Sequence, residues 1–197
     1  MKNSYNYIDP DYTYTHPKTG VLRNKEDIGD AHLLVAFESL KVSSRLEELQ
    51  VNPLKIKNSF SLLEIHEYLF QDVYSWAGKM RTVEISKGGK PFFPVSYFRN
   101  AFSYIDNLIL EYRQIDKADK PKLAHKLAEI LDSINCLHPF REGNGRTQRE
   151  FLRLLALEKG LPLNLNPPDN INIYERYMSG TIDGDVEKLS LLILELI

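Results

Sequence analysis

Cysteine is nearly missing from this 197-residue chain: Cys136 stands alone. No disulfide can close within the chain, and a reducing compartment is the simpler setting. An excess of one charge is missing too, since 25 Lys and Arg face 27 Asp and Glu for a formal net charge of -2. The basic residues are scattered and form no stripe, which removes the case for a nucleic-acid partner. No apolar run approaches the roughly 20 residues that a membrane span needs. The opening MKNSYNYIDPDY holds no apolar segment of the secretory kind. Repeats and low-complexity tracts are absent. A cytoplasmic protein without a membrane is therefore expected, and the length suits one domain with a sizeable core.

Punctuation and periodicity divide the chain. Residues 1–24 are polar, Tyr-rich and turn-prone, and read as an extended leader ahead of a domain over 25–197. From about Glu26 to Gln50 the pattern is helical, with Leu33, Leu34, Phe37, Leu40 and Val42 as apolar positions, and Asn52-Pro53 stops it. Ser61 and Glu64 have capping-box spacing before Leu62, Ile65, Leu69 and Phe70. Between Thr82 and Phe93, Val83 and Ile85 alternate with polar residues ahead of Gly88-Gly89, which predicts a short β-hairpin flap. Helical spacing returns with Phe98, Phe102, Ile105, Ile109 and Tyr112, and again from Pro121 through Leu123, Leu127, Ile130, Leu131 and Ile134. A helix after the glycine turn at 143–145 ends near Lys159-Gly160, and two more span about Asn170–Ser179 and Asp185–Glu195. The sum is a mainly α fold, a compact helical bundle with one small hairpin.

The chemistry concentrates in His138-Pro139-Phe140-Arg141-Glu142-Gly143-Asn144-Gly145-Arg146-Thr147-Gln148-Arg149. A glycine-rich turn feeding a helix N-terminus is an anion site, because unpaired N–H groups and the helix dipole both face incoming negative charge. Arg146 and Arg149 lie three apart, share a helix face and can converge on one polyphosphate. His138 titrates near neutrality and can take a proton from an attacking hydroxyl. Glu142 can hold Mg²⁺ alongside phosphate oxygens, or simply favour the helix start. Asn144 can bond a phosphate oxygen or cap the helix. Gly143 and Gly145 permit the turn and close approach of N–H groups. Phe140, an aromatic in a polar loop, is expected to anchor it in the core. Cys136, beside Ile134 and Leu137, reads as a small buried hydrophobe rather than a nucleophile.

This string resembles the Fic family of nucleotidyl transferases, whose pattern His-Pro-Phe-any-Asp/Glu-Gly-Asn-Gly-Arg-any-any-Arg is matched at every fixed position. Ile65-His66, Leu69-Phe70, Val73-Tyr74 and Trp76-Ala77-Gly78 resemble the family's segment ahead of the flap. Tyr12-Thr13-Tyr14 with Thr19-Gly20-Val21-Leu22 and Asn24 resemble the leader of bacterial Fic toxins and effectors. The resemblance implies the Fic fold and transfer of AMP from ATP to a Tyr, Ser or Thr hydroxyl of a target protein, with loss of pyrophosphate. It makes His138 the general base and Glu142 the Mg²⁺ holder. Asn144 with the N–H groups of Gly143 and Gly145 would bind the α-phosphate, and Arg146 and Arg149 the β/γ end. Thr147, Gln148, Ser86, Lys87 and, on adenine, Tyr174 complete the expected ATP site. Glu84, Ile85, Ser86 and Lys87 are the expected docking edge, pairing with an extended target segment.

Family inhibitory helices read Ser/Thr-any-any-any-Glu-Gly/Asn. Here Ser43-Ser44-Arg45-Leu46-Glu47-Glu48 is a near miss, with Glu48 where Gly or Asn belongs. A separate small antitoxin-like protein is therefore the expected inhibitor, with Glu47-mediated self-inhibition as its competitor. The Doc branch, which transfers phosphate, has Lys where this chain has Gly145. Another nucleotide or a non-catalytic Fic module are the remaining alternatives. Target candidates implied by relatives with this leader are topoisomerase subunits such as gyrase, or host GTPases. With no secretion domain after residue 197, an intracellular bacterial target is expected.

Overall fold

The computed structural model describes the backbone of residues 5–7 and all of residues 11–197. Among these, α4 (Lys120–Leu137) is the central element, packed on α3 (Phe98–Gln114), α5 (Asn144–Leu157) and α7 (Val186–Leu196). Its stripe of Leu123, Leu127, Ile130, Leu131 and Ile134 is buried throughout, as the 3.6-residue spacing demands. Asp119 starts it, its carboxylate accepting the Lys122 N–H, with Pro121 in the first turn where no N–H is needed. α5 is wedged between α4 and α2 (Ser61–Phe70), burying Phe151, Leu152 and Leu155, each contributing roughly 1.5–3 kcal/mol of apolar transfer. α1 (Ala31–Val51) lies on α2, and α6 (Ile171–Asp183) on α7.

Three local expectations need correction. α1 begins at Asp30, whose carboxylate accepts the Leu33 N–H, and its buried face is Leu34, Glu38, Val42 and Leu49. Leu33 and Leu40 face solvent instead, so the inward stripe runs through an acid. Ser61 and Glu64 form no capping box: Ser61 is already helical and accepts the Lys57 N–H, while Glu64 pairs with Lys57 Nζ at 3.0 Å. Cys136 is likewise exposed rather than part of the core.

The hairpin is present as β2 (Ile85–Lys87) and β3 (Lys90–Pro91), joined by Gly88 and Gly89 at φ 58° and 79°. Two consecutive positive-φ residues give the turn whose twist matches its strands. The sheet has a third strand, β1 (Tyr5–Tyr7), antiparallel on the other edge of β2. The leader is stitched down by a bridge between Thr15 and Leu22 and by Tyr14, which is buried edge-on against Trp76 at 5.6 Å. The Tyr14 hydroxyl accepts the Thr82 N–H at 3.1 Å, fixing the leader to the foot of the flap. No helix among the described residues is long and apolar enough to cross a membrane.

Candidate active site

His138 terminates α4 in the left-handed region, at φ 45° and ψ 61°. A non-glycine residue there is strained, so its surroundings must hold it. Its N–H donates to Ile134 O, and its carbonyl accepts Nε of Arg81 at 2.9 Å. Arg81 is almost wholly buried; its other N–H groups donate to Val83 O at 2.7 Å and Phe93 O at 2.6 Å, and its guanidinium lies over Phe98. One side chain thus ties the base of the flap to the end of α4. The Arg81 N–H adds a bond to Pro139 O at 2.7 Å.

Within this clamp the imidazole stacks on Phe92 with centroids 3.8 Å apart. Nδ1 donates to Asn135 O at 3.1 Å, which makes Nε2 the unprotonated nitrogen. Burial drives the ring's pKa down to about 3, opposed by the Asn135 carbonyl and assisted by the charges of Lys87 and Arg81. His138 is therefore neutral at physiological pH.

The loop after it is held from both sides. Phe140 is buried and stacks on His66 at 3.8 Å. His66, itself buried, accepts the Gly78 N–H on Nδ1 and donates from Nε2 to Glu142 O, linking three segments. Gly143 has φ 82°, and a Cβ there would meet the Phe70 ring at 2.4 Å, so only glycine fits. The Asn144 side chain turns back on the loop, accepting the Phe140 N–H at 2.9 Å and donating to its carbonyl at 2.8 Å. It braces the turn and does not line the cavity. Thr147 is buried too, its hydroxyl donating to Gly143 O.

A cavity of 310 Å³ opens in front of this turn, lined by His138, Glu142, Gly143, Gly145, Arg146 and Arg149 among others. The Gly143 N–H donates to Oε1 of Glu142 at 2.9 Å. At the far end Arg149 lies over the rings of Tyr174 and Tyr177, at 5.4 and 5.3 Å. Gln148 lines the wall and donates to the Tyr177 hydroxyl; Tyr174 and Met178 supply a soft, flat surface.

Arg146 is oriented by a residue that motif reading missed. Oε1 of Glu38, buried on α1, sits 2.6 Å from its Nη2, while Oε2 of Glu38 accepts the Tyr74 hydroxyl. Arg146 also lies over Phe70 at 4.8 Å and within 3.7 Å of Glu142. Glu47, the acid of the near-miss inhibitory motif, is exposed on the same helix. The signal for Glu38 was its place on the inward stripe of α1.

Of the flap residues, Lys87 lines the cavity and Ser86 does not. Glu84 lies outside β2: its carboxylate accepts the Val95 N–H at 3.0 Å and pairs with Arg81, so it anchors the flap.

The Fic/DOC family model matches residues 58–156, which hold α2, the flap and the whole motif. The chain belongs to the Fic/DOC family. A probable protein adenylyltransferase of Sinorhizobium fredii is 35% identical over 183 residues, covering 90% of this chain and 93% of that protein. A protein adenylyltransferase of Bartonella schoenbuchensis is 35% identical over 150 residues, 75% of this chain but only 31% of its own length. The chain thus spans about a third of that relative. The Fic fold is seen again in the BepC effector of Bartonella tribocorum, solved with bound AMPPNP: TM-score 0.80, 19% identity, covering 94% of this chain and 96% of that one.

Proposed function

We propose that this Fic protein is a protein adenylyltransferase, moving AMP from ATP to a hydroxyl side chain of a target protein. The observation that carries the reading is the pairing of a neutral, buried, tautomer-fixed His138 with the N-terminus of α5 across one cavity. The relatives named adenylyltransferases at 35% identity support the same class.

In the proposed step the target oxygen forms a bond to the α-phosphorus. Its proton passes to His138 Nε2, the bond from that phosphorus to the bridging oxygen breaks, and pyrophosphate leaves. Arg146 and Arg149 take the β/γ charge, and the first N–H groups of α5 take the α-phosphate. The polyphosphate displaces Glu142 from the Gly143 N–H, freeing its carboxylate. No cluster of three metal-binding side chains exists among the described residues, and a cation that arrives on ATP and meets one carboxylate fits that donor set. Mg²⁺ held by Glu142 and phosphate oxygens would supply charge neutralisation. Tyr174 and Met178 take the adenine face.

Gly145, in place of the Lys of the kinase-like branch, favours AMP over phosphate transfer. On the other side of Arg146 and Arg149 runs a groove of 680 Å³ with Leu46, Leu157, Leu163 and Ile173. It suits an amphipathic helix of a separate inhibitor that brings an acid to Arg149, and co-expression with the neighbouring reading frame tests this. A bacterial cytoplasmic target, with a gyrase-type subunit as first candidate, remains part of the proposal. The deciding experiment is a lysate incubated with ATP labelled at the α- or the γ-position, wild type beside His138→Ala. Bands from α-label alone, lost in the variant, support AMP transfer; bands from γ-label establish a kinase; labelling by neither in any lysate overturns the catalytic reading.

A further inference from the structure

Arg81 is a cation to which the motif gives no task, yet the fold buries it almost completely. Among the described residues its polar partners fall into two groups. His138 O accepts from Nε at 2.9 Å, and Pro139 O accepts from the main-chain N–H at 2.7 Å. Val83 O accepts from Nη1 at 2.7 Å, Phe93 O accepts from Nη2 at 2.6 Å, and the Glu84 carboxylate lies 3.2 Å from Nη1. Val83 stands two positions before β2 and Phe93 two after β3. The guanidinium therefore closes the base of the hairpin and holds the His138 turn with the same fork.

Each side-chain nitrogen meets a carbonyl of a different segment, a task for a planar fork and not for a single ammonium. The His138 carbonyl belongs to a residue at φ 45°, a state that a non-glycine residue keeps only where its surroundings impose it. There the imidazole folds back on its own helix, Nδ1 to Asn135 O, and lies on Phe92 of the same hairpin. Phe92 donates its N–H to Ile85 O at 3.1 Å, so the stacked ring moves with β2. Both the carbonyl and the ring of His138 thus rest on the flap. Neither Arg81 nor Phe92 lines the cavity itself, whereas Lys87 of β2 does.

We propose that the flap positions the general base: Arg81 on the carbonyl and Phe92 on the ring register His138 so that its Nε2 meets the acceptor hydroxyl. This inference rests on the adenylyltransferase reading above. Both are positioning residues, acting on the transfer only through His138. A reacting atom displaced by about 1 Å can cost about 10²-fold in rate. The nucleotide's own contacts, with α5 and its arginines, stay in place.

The test compares wild type, Arg81→Lys and Phe92→Leu, each as the full chain. Bacterial lysate with α-labelled ATP and Mg²⁺ gives the initial labelling rate over a range of ATP concentrations. Titration calorimetry with AMPPNP gives nucleotide affinity, and nitrogen NMR reads the tautomer of His138. Each variant should lower the rate at saturating ATP by about 10–10²-fold while the AMPPNP Kd stays within about twofold. Its His138 signals should depart from the single neutral tautomer of wild type. Urea unfolding first establishes that each variant folds; where Arg81→Lys does not, Phe92→Leu, which keeps an apolar side chain and removes the stacked ring, decides alone. A folded variant that keeps the wild-type rate or the wild-type His138 signals overturns the proposal, as does a rate loss that follows AMPPNP affinity. Labelling by wild type and variant alike overturns it while leaving the adenylyltransferase reading intact. A wild type that labels no lysate protein overturns both.

Discussion

The imidazole of His138 is held in a place that suppresses its own charge. Burial lowers its pKa to about 3, so it is neutral above that value and loses its capacity to accept a proton as pH falls through it. For the free enzyme, kcat/KM should therefore stay flat well below the ordinary histidine range near 6.5. Bound polyphosphate favours the imidazolium, so the acid limb of kcat should lie at higher pH than that of kcat/KM. A pH–rate series at saturating and limiting ATP checks this, and coincident limbs would contradict it. His138→Ala should lose about 10²–10⁴ in transfer while still binding ATP. Glu38 acts one step further back, since it touches Arg146 and does not itself line the cavity. Glu38→Ala should weaken ATP binding and cost roughly 1–3 kcal/mol of stability, because Arg146 and Tyr74 both lose a buried partner. Glu38→Gln should restore more stability than binding, because the amide keeps hydrogen bonds and drops the charge. Titration calorimetry with a non-hydrolysable ATP analogue separates the two; unchanged affinity in both variants would leave Glu38 a purely structural residue.

Among the elements, the loop between α4 and α5 is the most constrained, and Gly143 shows why. It has positive φ and faces the Phe70 ring with no room for a methyl group. Gly143→Ala should cost about 2–4 kcal/mol, from backbone strain plus overpacking against an aromatic held on α2. Chemical denaturation reads the loss, and a cost under about 0.5 kcal/mol would mean that the loop relocates freely. This element was legible in the sequence, because glycines, a proline and a following helical stripe encode a turn locally. The core stripe of α4 and the Gly88-Gly89 turn were legible for the same reason. What escaped was tertiary. Arg81 is an arginine in a polar stretch until its three carbonyl partners, including that of His138, are brought around it. Asn144 read equally as a phosphate ligand or a helix cap, and only the folded loop shows its amide engaged with Phe140. Glu38 was passed over because a helical acid is ordinarily solvated, and β1 because a run of three residues is too short to show strand periodicity.

On the scale of the whole molecule, two buried histidines set a common response to acid. His66 and His138 both have their pKa pushed down to about 3, burial being the main cause in each. The unfolded chain takes up these protons near the ordinary value of about 6.5. The folded state is therefore undiminished above that pH and loses stability as pH falls from about 6.5 toward 3, by up to about 1.4 kcal/mol per pH unit for each group. Carboxylates add to the loss only lower down: Asp72, held below its usual range by hydrogen bonds from Arg45, begins to protonate below its own unfolded value near 3.8. The window between about 4.5 and 6.5 thus reports the histidines. His66 is the better probe, since it links Gly78 to the motif loop without entering the cavity. His66→Gln keeps an acceptor for the Gly78 N–H and a donor for the Glu142 carbonyl, but loses the stacking on Phe140 and the titrating ring. It should be less stable than wild type near neutrality and should show a shallower decline across that window. The comparison is urea unfolding at a series of pH values. Equal slopes in the two proteins would mean that His66 takes up its proton in the folded state, which its bond to the Gly78 N–H forbids while the loop is closed.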